Sequence, residues 1–206
     1  MRVTISDAVD ASRGDDEWLS HVAKIGQIEG STDIDVLQVM RRGTFCEASA
    51  LFPYVKKSGR RFLLFSIWCA EQVAHHATIP SRRALEIAKE YAAGAVTKKQ
   101  FASTGRRLSS ILERMDEKDT YSCDEEKDNR HISICAVAAV DAVYCFRVKG
   151  FSAMHAWEEM MMALHPGTRP DIDGISDDEL PWDKASAEEF IRICQSEPED
   201  AEEVTT

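Results

Sequence analysis

The chain is poor in glycine and proline, and it lacks the sequence signals of export and membrane insertion. Its 206 residues include only 10 glycines and 6 prolines, whereas Ala, Leu, Glu, Arg and Lys, which lose little rotamer freedom in a helix, are abundant. The N-terminal region has no apolar stretch followed by a small-residue cleavage site. The longest apolar run, residues 132–146, is too short to cross a bilayer and is interrupted by Asp141. These absences predict an all-α cytoplasmic protein.

The familiar catalytic signatures are also missing. The sequence contains no P-loop, no dinucleotide-binding glycine pattern, no nucleophile elbow and no His-Glu-x-x-His order. Its cysteines form no Cys-x-x-Cys pair and fall mostly within apolar helical stretches, which is typical of reduced core side chains. The sequence therefore favours a non-enzymatic protein with no catalytic residue, metal or cofactor. The six cysteines are Cys46, Cys69, Cys123, Cys135, Cys145 and Cys194.

Negative charge is concentrated at the end of the chain. Residues 1–170 carry 23 acidic and 23 basic side chains, while residues 171–206 carry 13 acidic side chains and two basic ones. The net charge of −11 therefore belongs to the second segment. An acidic segment on an electroneutral body is either a solvating tail or a surface for a basic partner.

The hydrophobic pattern divides the chain into three parts. Residues 1–60 predict short helices that pack on the core, with Gly14 separating the first two and Ser6 or Asp7 capping the first. Residues 61–165 predict the helical core, in which the charged stretch 116–130 is expected to be a solvated loop.

The third part, residues 166–206, predicts an acidic segment with one short helix and a disordered tail. The helix is expected over residues 186–195, and Phe190, Ile191 and Cys194 form its apolar stripe, which would fold back on the body. The tail, 196–206, has the composition of a disordered segment. The overall prediction is an all-α multi-helix bundle with an acidic C-terminal appendage.

Two groups of side chains have both a chemical and a structural interpretation. Asp141 must either meet an Arg or Ser partner or face a cleft, because a buried carboxylate is costly unless it is paired. Glu71 and His75 share a helix face and could ligate a metal together with His131 or His155. The simpler interpretation is that His75, together with the adjacent His76, stabilises the end of the helix dipole.

Three further patterns favour a structural interpretation over a chemical one. Residues 169–179 have the Asp and Gly density of a calcium loop, but Arg169 and Leu180 occupy both end ligand positions. Cys46 and Cys69 lack the glycine-rich turn that would frame a nucleophile. The basic pairs of the body are expected to lie on solvated helix faces rather than on a nucleic-acid surface. These pairs are Arg41-Arg42, Lys56-Lys57, Arg60-Arg61, Arg82-Arg83, Lys98-Lys99 and Arg106-Arg107.

Three segments of the predicted core resemble a known family. They are FSIWCAEQVAHH, PSRRALEIAKEYAAGAVT and the alanine-rich AVAAVDAVYCF. In order and type they resemble a helical family of bacterial immunity proteins, in which a Cys-Ala-Glu helix precedes a Pro-Arg-Ala-x-Glu-Ala helix ending in Ala-Gly. The resemblance covers residues 62–165 and implies a helical protein that neutralises a toxin by binding it. Residues 1–60 and the acidic segment are additions, and much of the family's later His and Ala repetition is missing.

The resemblance and the charge together predict an inhibitor of the immunity-protein type that binds a basic partner. A folded acidic surface can occupy the Lys- and Arg-lined channel of a nuclease or nucleoprotein complex, because it offers the same steering and counterion release as DNA. The partner is expected to be a toxin, a nuclease or a defence effector, and the chain itself is expected to bind neither nucleic acid nor membrane. The expected contact residues are Asp171, Asp173, Asp177, Asp178, Glu179, Trp182, Glu188 and Glu189.

Two alternatives stay open at this point. A phage-encoded anti-defence inhibitor of the anti-CRISPR kind would mimic nucleic-acid charge in the same way. A small helical enzyme or a scaffold is the other alternative, and a scaffold would form homo-oligomers through an exposed methionine patch at residues 160–162.

Overall fold

The computed structural model describes residues 1–28, 30–55, 58–119, 124–144, 149–164 and 181–197. Over these ranges the protein is a bundle of ten α-helices with one two-stranded sheet, which confirms the predicted all-α class. The helices are α1 (Ile5–Ser12), α2 (Asp16–Gly26), α3 (Val36–Arg42), α4 (Phe45–Ser49), α5 (Gly59–Val73), α6 (Ile79–Ala92), α7 (Lys98–Asp119), α8 (Asp124–Val143), α9 (Lys149–Leu164) and α10 (Pro181–Ser196). The strands are β1 (Arg2–Thr4) and β2 (Asp33–Asp35), and a 3-10 turn covers Phe52–Tyr54.

The small sheet was not predicted from the sequence. Strand β1 pairs antiparallel with β2, and Val3 lies opposite Ile34 with both side chains buried. Each strand has three residues, which is too short for an alternating pattern to be recognised. The sheet joins the beginning of the chain to the start of α3, where the backbone N–H of Val36 donates to the carbonyl of Met1.

The first helices begin and end where local chemistry requires it. Thr4, and not Ser6 or Asp7, is the N-terminal cap of α1: its hydroxyl accepts from the Asp7 N–H while the Asp7 carboxylate accepts from the Thr4 N–H. Gly14 has a φ of +93° and lies between α1 and α2, as the sequence predicts.

The charged stretch 116–130 is not simply a loop. Helix α7 continues to Asp119 and α8 begins at Asp124, so only residues 120–123 of the stretch lie outside the described residues. Lys, Glu and Arg are good helix formers, and an exposed turn needs no apolar stripe to continue a helix that is already packed. The prediction of a loop over the whole stretch was therefore wrong.

Helix α5 occupies the centre of the molecule. Phe62, Phe65 and Cys69 are almost fully buried, because α6, α8, α9 and α10 all pack against this helix. Helices α8 and α9 approach each other through alanines on both sides, which allow a short distance between the backbones. Helix α7 approaches α8 closely as well: a Cβ added at Gly105 would lie 2.9 Å from the Cβ of Tyr144.

No helix within the described ranges is both long enough and apolar enough to span a membrane.

Candidate functional site

Helix α10 lies on the body through an aromatic cluster. Phe190 is fully buried, and its ring centroid lies 4.8 Å from that of Phe52, 5.1 Å from Phe65 and 5.8 Å from Phe62. Phe45 completes the cluster, at 6.4 Å from Phe190. We call these five rings the aromatic cluster. It joins the acidic segment to the N-terminal helices and to α5.

Two arginines hold the end of α10. The Arg61 side chain is buried, and its Nη2 and Nε donate to the backbone carbonyl of Glu197 at 2.6 and 3.2 Å. Arg60 donates from Nε to the Glu197 carboxylate at 2.7 Å and from Nη1 to the carbonyl of Ala92, also at 2.7 Å. The prediction of a solvated face for this pair was wrong, because Arg61 is buried and both guanidinium groups bond to Glu197 at the C-terminal end of α10.

The structure also corrects the predicted start of the disordered tail. Ser196 is the last residue of α10, and Glu197 is fixed by Arg60 and Arg61. The rest of the predicted tail, 198–206, lies outside the described residues. Helix α10 begins at Pro181, five residues before the predicted start, since proline is well tolerated in the first turn of a helix.

Only three of the eight predicted partner-binding residues, Trp182, Glu188 and Glu189, lie within the described ranges. Glu188 and Glu189 lie on α10, and each has a cation on the same helix: Glu188 is 4.0 Å from Lys184, and Glu189 accepts two bonds from Arg192 at 2.5 and 2.8 Å. The backbone of Trp182 belongs to the first turn of α10. The remaining five residues, Asp171, Asp173, Asp177, Asp178 and Glu179, lie outside the described residues, as does the calcium-like pattern 169–179.

A second group of polar side chains lies along α8 and on the two helices packed against it, α7 and α9. Asp141 accepts a hydrogen bond from the Ser109 hydroxyl at 2.8 Å, and serine is one of the two partner types predicted for this carboxylate. His155 on α9 lies 3.8 Å from both the Glu158 and the Glu159 carboxylates. We call Ser109, Asp141, His155, Glu158 and Glu159 the polar seam.

Burial and charge set the protonation of the seam. Desolvation raises the pKa of both Asp141 and Glu159. The positive charge of His155 opposes this shift at both carboxyl groups, and the Ser109 hydrogen bond opposes it at Asp141. The pKa of His155 is raised by the Glu158 carboxylate, 3.8 Å away, and by the charges of Glu159 and Asp141, although burial acts in the opposite direction. Burial thus raises the pKa of the two carboxyl groups, and the surrounding negative charge raises the pKa of the imidazole.

The proposed metal ligands are not brought together. Glu71 is 2.6 Å from Lys89 on α6, and the rings of His75 and His76 contact each other beyond the end of α5. Among the described residues there is no group of three or more His, Cys, Asp or Glu side chains that could hold a metal ion.

The described cysteines are not exposed nucleophiles. Cys69 is fully buried, and desolvation raises its pKa well above the usual value. Cys135 lies 3.6 Å from the His131 Nε2, but its thiol is buried, and Cys194 is buried against Met1. Cys46 is half-buried. A thiolate reacts only when it is formed and accessible, so this arrangement favours core packing over catalysis.

Comparisons with protein-family models, with curated proteins and with solved structures gave no match. The methionine patch of the scaffold alternative is not a surface, because Met160 and Met161 are buried in the core. Among the described residues the large exposed apolar side chains are Val9 and Ile79.

The polar seam predicts a pH-dependent contribution to stability. A histidine with a raised folded-state pKa stabilises the fold fully below its unfolded pKa of about 6.5, and the contribution is lost as the pH rises through the folded pKa. His155→Gln should therefore destabilise the protein more at about pH 6 than at about pH 8.

Urea unfolding at the two pH values would measure this difference. Glu158→Gln removes the main partner of His155 and should change the pH dependence in the same direction. An equal loss of stability at both pH values in His155→Gln would show that the imidazole is held only by packing.

Proposed function

We propose that this chain is a non-enzymatic inhibitor of the immunity-protein type, which binds a basic, nucleic-acid-handling protein in the cytoplasm through its acidic C-terminal segment. The observation that carries the proposal is the anchoring of α10. This helix returns to the core through Phe190, and its end is held by Arg60 and Arg61. The acidic sequence that precedes it is thus bounded by two packed helices, α9 and α10.

Anchoring at both ends matters for binding. A free acidic tail loses much conformational freedom when it binds, whereas a segment closed between two fixed helices has fewer conformations to lose. Residues 165–180 contain Asp171, Asp173, Asp177, Asp178 and Glu179 and one basic residue, Arg169. The proposal places the attraction for a basic channel in these five carboxylates.

Glu188 and Glu189 on α10 should contribute little to partner binding. Glu189 is already engaged by Arg192, and Glu188 is close to Lys184. A basic partner would have to compete with these cations, so neutralising either glutamate should weaken binding only slightly.

The test is a binding measurement with a neutralised acidic segment. Asp171, Asp173, Asp177 and Asp178 are changed to Asn and Glu179 to Gln, and proteins are captured from nuclease-treated bacterial lysate by the intact chain and by this variant. A basic protein captured by the intact chain should bind the variant at least about tenfold more weakly at low salt, because each exposed charge contributes up to about 1 kcal/mol. The captured partner should also lose its own activity when one equivalent of this chain is added.

A matched control removes the same number of charges from the body. Asp10→Asn, Asp16→Asn, Glu17→Gln, Glu90→Gln and Glu113→Gln together change five exposed carboxylates outside the segment. Equal weakening in the control and in the test variant would mean that net charge alone drives the association. Unchanged affinity in the test variant would contradict the proposal.

The anti-defence alternative predicts the same binding with a different partner. A nucleic-acid-guided complex captured in place of a single toxin or nuclease would favour it, and the nucleic acid of that complex should then compete with this chain for the partner.

A further inference from the structure

A line of cations runs along the outer face of α7. Lys99, Arg106, Arg107 and Arg114 are exposed and recur at the spacing that places side chains on one side of a helix. Exposed Ser110 lies between them on the same side. We call this set the basic stripe. It spans about 22 Å, since a helix rises about 1.5 Å per residue.

The charges of the stripe are not neutralised by ion pairs within the described part of the protein. None of the four forms an ion pair with a described carboxylate, and Arg114 uses its Nε for the Ser110 carbonyl on the same helix. Glu113, the one carboxylate among the side chains described on α7, is exposed and directly precedes Arg114, and its negative charge raises the pKa of Asp141 on α8 by repulsion. The stripe is therefore a local excess of positive charge on a chain whose net charge is −11.

The inner face of α7 explains why the stripe stays at the surface. Phe101, Gly105 and Leu108 are buried against α6 and α8, and they fix the rotation of the helix. The four cations lie on the opposite, exposed side of α7. The packed helix fixes the spacing of their backbone attachment points along one side.

We propose that the basic stripe binds the phosphodiester backbone of a nucleic-acid duplex. Ammonium and guanidinium groups donate to phosphate oxygens, and Arg can donate two parallel bonds to one phosphate, whereas the Ser110 hydroxyl already donates to the Arg106 carbonyl on the same helix. An acidic protein is the less suitable partner, because the stripe includes no large apolar side chain and protein interfaces depend on a desolvated apolar centre. Binding without sequence preference follows, since nothing in the stripe reads base edges.

This inference departs from the expectation of no direct nucleic-acid binding that the sequence suggested. The sequence shows isolated basic pairs, whereas the helix places one member of Lys98-Lys99, both members of Arg106-Arg107 and Arg114 on one side. The stripe is separate from the acidic segment of the proposed function, so the two can be tested with different variants. Together they would let one chain hold a basic protein and touch the nucleic acid which that protein handles.

The experiment is a titration of a labelled duplex of about 20 base pairs, followed by fluorescence anisotropy. With four phosphate contacts, the dissociation constant should rise about 100-fold between about 50 and 200 mM salt. The quadruple variant Lys99→Gln, Arg106→Gln, Arg107→Gln, Arg114→Gln should bind at least about tenfold more weakly at the lower salt concentration, with a much smaller salt dependence. Glutamine keeps the helix propensity of these positions, and circular dichroism verifies the fold.

The matched control changes four exposed cations outside α7, namely Arg2, Arg13, Lys24 and Arg41, to glutamine. Duplex binding that survives in this control and is lost in the quadruple variant supports the stripe. Equal loss in both variants, or no binding by the unmodified chain at low salt, overturns the proposal. Polyglutamate that binds the stripe where the duplex does not would also overturn it, in favour of an acidic protein.

Discussion

Phe190→Ala should lower the free energy of unfolding by about 3–5 kcal/mol, because truncating a buried phenylalanine loses its transfer free energy and leaves a cavity. Phe190 is the ring that the other four members of the aromatic cluster share. No single neighbour can fill the space, since Phe52 and Phe65 belong to different elements. The melting temperature should fall by about 10 °C for a chain of this size.

Thermal and urea unfolding followed by tryptophan fluorescence would measure this loss. Ile191→Ala is the matched control, because Ile191 is the next residue of α10 and is only partly buried. Ile191→Ala should lower the free energy of unfolding clearly less than Phe190→Ala does. Equal effects of the two substitutions would mean that α10 does not depend on the aromatic cluster, contrary to the described packing.

Arg61→Ala should lower the free energy of unfolding by about 2–3 kcal/mol, because a charged donor is lost and the half-buried Glu197 keeps a carbonyl without that donor. The substitution should also increase local opening of α10. Trypsin should cut at Lys184 and Arg192 faster in Arg61→Ala than in the unmodified chain, because the end of α10 loses its attachment.

Two further variants separate the hydrogen bonds from general charge effects. Arg61→Lys keeps the charge but loses the paired donors, so its stability should lie between the unmodified chain and Arg61→Ala. Arg192→Ala removes an exposed arginine of the same helix and should leave stability unchanged. If Arg61→Ala were as stable as Arg192→Ala, the bonds to Glu197 would contribute nothing to the fold.

The helices were predictable where their apolar stripes are long. Thr78 and Pro80 mark the beginning of α6, and Gly94 follows its end, as the sequence pattern indicates. The sheet was missed because β1 and β2 each pair over only three residues. The extent of α7 and α8 was missed because their outer turns are charged, and helical propensity without an apolar stripe gives no clear signal.

The sites were less predictable than the fold. An Arg or Ser partner for Asp141 was one of the two predicted outcomes, because a carboxylate inside an apolar run requires a donor, and Ser109 is that donor. The role of Arg61 was missed, although its position immediately before the apolar residues of α5 is a signal that the side chain is partly enclosed. The polar seam depends on how α8 and α9 pack together, and no pattern within either helix specifies that.

The placement of α10 also has a consequence during synthesis. Arg61 and Glu197 are 136 residues apart, and Phe190 is similarly distant from Phe45. At about 5–20 residues per second, roughly 7–27 s pass between the synthesis of these two parts of one core. During that interval the aromatic side chains of the N-terminal helices lack the ring that covers them, and exposed apolar surface of this kind attracts chaperones or other unfinished chains. The nascent chain can complete its native core only after α10 has left the ribosome.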